Sequence, residues 1–387
     1  MTIRDRTAIV GLGATPYYKR GRSAPQTLDE LVGKAIIAAA ADAGLEVTDI
    51  DGFAYFAGGF DTGALVETLG IPEVRYTATL TGSGGGSAGA VGLAASAIVS
   101  GMADVVVCVG GVQQSTLRYG AMPTSYAPSP ESAFYQSAGL VGPGHMFALL
   151  ARRHMHLYGT TREHFAEVAL STRANAMTHP AALIRKPLTL DEYMAAPLIA
   201  DPHCLFDFCL ESDGAVAVIL TSAERARDLK RKPVYVHASA HGGAGEWGRS
   251  LYWMNMPDET FASSGHAAVA KRLYAASDVG PGGIDVAQIY DHFTSQVIMQ
   301  LEDYGFCGKG EGGAFVASGA IRFDGGSLPV NTDGGQLSGG YIWGMSHVRE
   351  AVEQLRGCAA NQVPGAEFAL VTGGPSNIPV SGLILRR

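Results

Sequence analysis

Uncharged, β-branched runs alternate with amphipathic stretches along this chain, and the alternation occurs twice. Thr7-Ala-Ile-Val-Gly-Leu-Gly13 reads as a strand, Leu28 to Ala43 as an amphipathic helix, and Ile50-Asp-Gly-Phe-Ala-Tyr55 as a second strand. The order returns with Pro233-Val-Tyr-Val-His-Ala-Ser239, a helical stretch from His266 to Ser277, and Ile284-Asp-Val-Ala-Gln-Ile-Tyr290. Each set leads through a glycine-rich turn into a helix, Gly82 to Ser100 and Gly334 to Leu355, and then into a buried strand, Val105 to Gly110 and Phe368 to Gly373. The small and apolar residues Ala90, Leu93, Ala94 and Ile98 predict a helix buried on several faces. A repeat of this kind predicts an α/β protein of two like halves. Residues 1–116 and 201–230 form the first, residues 231–387 the second, and residues 117–200 an inserted cap. Within the insertion, Tyr119 to Gly144 carries Met122-Pro123, Ala127-Pro128 and Ser129-Pro130 and predicts loop, with helices following over Pro143 to Tyr158 and Thr161 to Thr178.

Composition narrows the picture. A chain of 387 residues, 47% hydrophobic and 17% charged, is long enough for two fused halves with a sizeable core. Its 51 glycines fall in short clusters at the ends of apolar runs, as strand-to-helix turns require, and form no low-complexity linker. A formal charge of −8 without a basic run argues against nucleic acid or an anionic membrane as a partner. Cys108, Cys204, Cys209, Cys307 and Cys358 form no paired framework, which predicts a reduced, cytoplasmic protein. His203-Cys204 beside Cys209 fits no standard zinc spacing, so no metal is expected. The segment after Met1 lacks the apolar stretch of a signal peptide, and no apolar run reaches bilayer length.

The glycine-rich segments carry a specific resemblance. Asn331-Thr-Asp-Gly-Gly-Gln-Leu-Ser-Gly-Gly-Tyr341-Ile-Trp-Gly344 resembles the active-site loop of thiolases, with Gly340-Tyr341-Ile342 in place of the family's Gly-His-Pro step. Thr79 to Ala90 and the stretch to Asp104 resemble the nucleophile segment and its helix, but the cysteine's place falls at about Gly84, beside Ser83. Ile199 to Cys209 and Asp213-Gly-Ala-Val-Ala217 are similar to the lipid-transfer (sterol carrier protein X) branch. Gln288-Ile-Tyr290-Asp291-His292-Phe293 aligns with the family's Asn-Glu-Ala-Phe motif, or with His-Asp-Cys-Phe in that branch. Val371-Thr372-Gly-Gly374 stands at the second cysteine of degradative thiolases. The resemblance implies a thiolase fold, two pseudo-repeated halves in five αβαβα layers. The departures resemble the steroid side-chain-cleaving aldolases of the same branch, in which two tyrosines act at these positions.

Losing the thiolate at about Gly84 removes acyl-enzyme chemistry. A retro-aldol cleavage of a β-hydroxyacyl-coenzyme A needs only a base for the hydroxyl, donors for the enolate and a proton for carbon. The resemblance makes Tyr290 and Tyr341 the catalytic pair, and two-residue spacing in an extended strand places His292 on the face of Tyr290, with Asp291 pointing away in a structural role. His347 approaches Tyr341 only if the turn folds back. The amides of Gly84 to Gly86 at a helix start suit the enolate oxygen, and Ser83, Gly84, Gly85 and Gly340 are the candidate substrate or coenzyme A contacts. Cys108 and Cys209 read as inert strand packing, and Cys307, in a turn, as a minor candidate nucleophile. No cofactor is expected beyond the coenzyme A of the substrate. The resemblance further implies a homodimer and a small partner with an OB fold and a zinc ribbon. Two other readings stay open: an altered thiolase or acyl transferase, and a non-catalytic acyl-coenzyme A carrier.

Overall fold

The structure, a computed structural model, describes residues 2–56, 59–80, 86–114, 130–244, 261–375 and 379–387. In the first half, strand β1 (Thr7–Ala14) leads to helix α1 (Leu28–Ala43), β2 (Gly52–Phe56), β3 (Tyr76–Leu80), α2 (Gly86–Val99) and β4 (Val105–Gln113). Local chemistry explains the limits of α1: the Thr27 side chain accepts from Glu30 N–H at the start, and Gly44 closes the end with φ of 75°.

The insertion follows, with α3 (Pro143–Tyr158) and α4 (Arg162–Thr178) close to the bounds the pattern predicts. Its proline-rich stretch is only partly tested, since residues 115–129 lie outside the described residues. Pro130–Ser137 is an α-helix, not the loop predicted, because a proline in the first turn lacks only an amide that has no helical partner there. The chain rejoins the sheet at β5 (Ser212–Ser222).

The second half repeats the order with β6 (Val234–Gly242), α5 (Ala267–Ser277), β7 (Val286–Gln288), α6 (Thr294–Asp303), α7 (Met345–Arg356), β8 (Phe368–Gly373) and β9 (Val380–Arg386). Among the described residues the main sheet has ten strands, in the order β7-β8-β9-β6-β1-β5-β4-β2-β3, with Tyr18–Lys19 pairing to β5. The two half-sheets meet where β1 pairs with β6, at Ala8 with Tyr235 and Ile9 with Val234.

Pairing within the halves is equivalent. β2 runs parallel to β4 and β4 antiparallel to β5, as β7 runs parallel to β8 and β8 antiparallel to β9. The edge strand β3 has its counterpart in a single parallel bridge between Ala287 and Val330. Helix α2 packs on β2 and β4 of its own half and on β6 and β9 of the other; α7 packs on β7 and β8 and reaches β5. The two helices therefore lie between the half-sheets, and their apolar residues share one core with residues of both sheets. Helices α1 and α5 close the outer faces over two further cores. This is the five-layered arrangement expected. A helix between two sheets has no solvent side, which is why ten residues of α2, from Gly86 to Ala97, are buried.

Among the described residues no helix is long and apolar enough to cross a membrane. Cys108 is buried in β4, as expected, but Cys209 follows a short helical turn and lies in no strand. Its amide donates to the His292 carbonyl at 3.1 Å, so it links the insertion side to the second half.

Candidate active site

Tyr290 lies just past β7 and Tyr341 just before α7, and the fold brings their hydroxyls to 3.2 Å. Both side chains are almost wholly buried. Each tyrosine is fixed by its backbone. Tyr290 N–H donates to Thr372 Oγ1 at 2.8 Å, that hydroxyl donates to Gln300 Oε1 at 2.6 Å, and Gln300 Nε2 returns a bond to the Tyr290 carbonyl at 2.9 Å. Thr372, at the expected place of a thiolase cysteine, thus holds Tyr290 in position. Ser212 does the same for Tyr341: its Oγ accepts from Tyr341 N–H and donates to the Tyr341 carbonyl, both at 2.9 Å.

The turn that aims Tyr341 is shaped by special backbone positions. Gly334 and Gly335 have φ of 95° and 58° and open a π-helical turn, Gly335–Gly339, an arrangement frequent at functional sites. Trp343 takes φ of 51°, uncommon for a bulky residue, and its ring packs 5.1 Å from Phe56 and 5.2 Å from Tyr341. Gly344 follows with φ of 82°, and a β-carbon there would lie 2.6 Å from Ser87 Oγ and 3.0 Å from Tyr290 Cε2. The first turn of α2, the first turn of α7 and the Tyr290 ring therefore meet at one point. Two helix N-termini, each the positive end of its dipole, converge beside the tyrosine pair. At Gly340 a β-carbon would lie 2.6 Å from the Tyr17 ring, so this position is demanded by packing inside the turn.

His292 adopts the predicted neighbourhood by a different route. Strand β7 ends at Gln288, so Tyr290 and His292 share no strand face, yet their rings lie 5.2 Å apart. Phe147 of α3 stands edge-on to His292 at 4.5 Å, and the insertion thereby reaches the site. Burial pushes the His292 imidazole down to about 3, which makes it a neutral group, and its Nε2 has no hydrogen-bond partner. Asp291 turns away as expected: its carboxylate accepts from Gln336 N–H at 2.9 Å and Leu337 N–H at 3.3 Å, tying the Tyr290 segment to the π-helical turn. His347 in α7 lies 6.3 Å from the Tyr290 ring with Nε2 3.1 Å from Asp291 Oδ1, out of line for a hydrogen bond.

Ser83, Gly84 and Gly85 lie outside the described residues, and Gly86 is the first residue of α2. Sequence reasoning missed Ser87, whose buried hydroxyl has no partner and sits beside Gly344 and Tyr290. Its only signal was its place as the second residue of the glycine-led helix. Burial holds Tyr290 well above the usual phenol range, with the Tyr341 hydrogen bond pulling it back in part. Tyr290 therefore rests as a neutral phenol, able to give a proton. Burial also raises the thiols of Cys108, Cys204 (to about 11) and Cys307 (to about 12), so none of these three is an activated nucleophile.

The repeated five-layer fold and the site between α2 and α7 define the class. Residues 7–185 match the thiolase N-terminal domain and residues 245–378 the thiolase C-terminal domain-like family, and the chain belongs to the thiolase superfamily. Within it, the chain is 40% identical to the 17-hydroxy-3-oxo-4-pregnene-20-carboxyl-CoA lyase of Mycobacterium tuberculosis, over 99% of this chain and 100% of that one. It is 39% identical to a steroid side-chain-cleaving aldolase of Thermomonospora curvata, over 98% and 97% of the two chains. The solved Ltp2-ChsH2(DUF35) aldolase superposes with a TM-score of 0.92 at 36% identity, covering 100% of this chain and 99% of its own.

Proposed function

We propose that this protein is a carbon–carbon lyase that cleaves a β-hydroxyacyl-coenzyme A, in particular a steroid side-chain thioester, to a ketone and a shortened acyl-coenzyme A such as propionyl-coenzyme A. The observation that carries the reading is the buried contact of 3.2 Å between the Tyr290 and Tyr341 hydroxyls. The reaction moves one proton from the β-hydroxyl to the α-carbon while the bond between those carbons breaks, and it needs no water, oxidant or acyl acceptor. Two phenols in hydrogen-bond contact suit that task. Tyr341 takes the hydroxyl proton as its own passes to Tyr290, and Tyr290, held neutral by burial, delivers a proton to the α-carbon. The oxygen electrons form the ketone, and the pair from the broken bond forms the thioester enolate. The N-terminal turns of α2 and α7 favour that negative charge.

An acyl-transfer reading requires a thiolate, and the raised thiols of Cys108, Cys204 and Cys307 speak against it. We also assign the protein to an assembly: a homodimer through the edge of β3, the last strand of the sheet among the described residues, whose residues Tyr76 to Leu80 alternate in exposure, joined by a small partner of the OB-fold and zinc-ribbon kind. The name of the Ltp2-ChsH2(DUF35) neighbour supports such a partner. The test incubates the chain, with and without the candidate partner, with a β-hydroxyacyl-coenzyme A and follows ketone and acyl-coenzyme A release. Equimolar ketone and shortened thioester without free coenzyme A are expected; acyl transfer to free coenzyme A, or binding without cleavage under both conditions, overturns the reading.

A further inference from the structure

We propose that His179, Glu350 and Glu353 form a binding site for one divalent transition-metal cation, of the Zn2+ or Mn2+ kind, that clips the insertion to α7. His179 caps the C-terminus of α4, while Glu350 and Glu353 stand three residues apart on one face of α7. One ligand atom from each lies within 4.8 Å of the others. His179 Nε2 and Glu350 Oε2 face each other at 3.8 Å. That separation is too long for a hydrogen bond. Two ligands about 2.0–2.1 Å from a shared tetrahedral ion stand roughly 3.3–3.4 Å apart, so the pair needs to close by only about half an ångström to share one.

Glu350 is prepared for this role by its surroundings. Its Oε1 accepts from Thr332 Oγ1 at 2.6 Å and from Gln354 Nε2 at 3.0 Å, which orients the carboxylate, while Oε2 has no hydrogen-bond partner although the side chain is only 1% exposed. Such a carboxylate oxygen is costly to bury unless something satisfies it. Arg349 donates from Nε to Glu353 Oε1 at 2.9 Å, and a carboxylate retains further lone pairs beyond one such bond.

A groove of about 1180 Å³, lined by Pro180, Ala182, Arg349 and Glu353 among others, leads to the cluster from solvent. One imidazole with two carboxylates selects a transition metal over Mg2+ or Ca2+, which take oxygen donors. The bound ion would join the end of α4 to the helix that follows Tyr341.

The test strips the purified, tag-free chain with a chelator and dialyses it separately against Zn2+, Mn2+ and Mg2+, reading bound metal by mass spectrometry and the melting temperature. About one Zn2+ or Mn2+ per chain and a higher Tm are expected, with no such rise from Mg2+. Glu350→Gln keeps an oxygen for Thr332, and with His179→Gln it should lower affinity by roughly a hundredfold or more and remove the Tm gain. Glu353→Gln, at a side chain 17% exposed, is the variant to read if either of those fails to fold. Substoichiometric metal on the wild-type chain, or undiminished affinity in a folded variant, overturns the proposal.

Discussion

The two halves of the molecule are built alike and equipped differently. Asp51 accepts from Asp104 N–H at 3.0 Å and Val105 N–H at 2.8 Å where β4 begins; Asp285 accepts from Glu367 N–H and Phe368 N–H, both at 2.8 Å, where β8 begins. Gly52 opposes Val106 as Val286 opposes Ala369. Counting four residues on from each register point arrives at Phe56 in the first half and Tyr290 in the second. The same scaffold position thus carries an inert ring that packs on Trp343 in one half and the proposed proton carrier in the other. Residues 1–116 contain no histidine, whereas His266, His292 and His347 all belong to the second half. The repeated halves bring two helix N-termini to one point, and the proposed acid–base groups come from one of them.

Making the halves alike is the strongest way to break this contrast. Tyr290→Phe removes one hydroxyl from the pair and should lower cleavage by roughly a hundredfold to ten-thousandfold with the fold retained. The swap Phe56→Tyr with Tyr290→Phe should not restore it, because position 56 faces Trp343. Ketone release by the purified variants decides this, and near-normal turnover of Tyr290→Phe would remove that residue from the mechanism.

Acid should act next on the buried histidines, two in the second half and His203 in the segment that rejoins the first. Burial pushes His292 to about 3 and His203 and His266 to about 4, all below the unfolded value of about 6.5. Below pH about 6.5 the unfolded chain binds protons that these native imidazoles refuse, so stability falls as pH drops through the window from about 6.5 to 4. Each histidine contributes a slope of up to about 1.4 kcal/mol per pH unit. Urea midpoints across that range measure it, and His292→Gln should flatten the slope; an unchanged slope would contradict a neutral buried His292.

The smallest effect sharpens the equivalence itself. Asp51→Ala and Asp285→Ala should each destabilise by about 1–2 kcal/mol, the former somewhat more because Asp51 also pairs with Arg75 at 3.1 Å. Urea unfolding compares them, and a cost confined to one half would show that the two aspartates do different work.

Much of this architecture was legible in the chain. Helices over Leu28–Ala43 and Pro143–Tyr158, the buried strands after each glycine turn and the repeat itself follow from local periodicity and turn chemistry, which neighbouring residues alone determine. The tyrosine pair was visible only through resemblance, since an aromatic at the end of an apolar run is ordinarily a packing residue. The helix at Pro130–Ser137 was hidden because proline reads as a breaker wherever the first turn of a helix is unrecognised.

Other features required the tertiary structure. Tyr290 and His292 come together past the end of β7, so strand alternation does not account for it; their segment is positioned by Thr372, Gln300 and the π-helical turn from elsewhere in the chain. Ser87 enters the site because α2 and α7 meet between the half-sheets. His179 faces Glu350 because the fold brings the end of α4 up to α7, a juxtaposition no local spacing encodes. Periodicity is written residue by residue. Proximity, burial and the charge they impose arise only when distant segments share one dry interior.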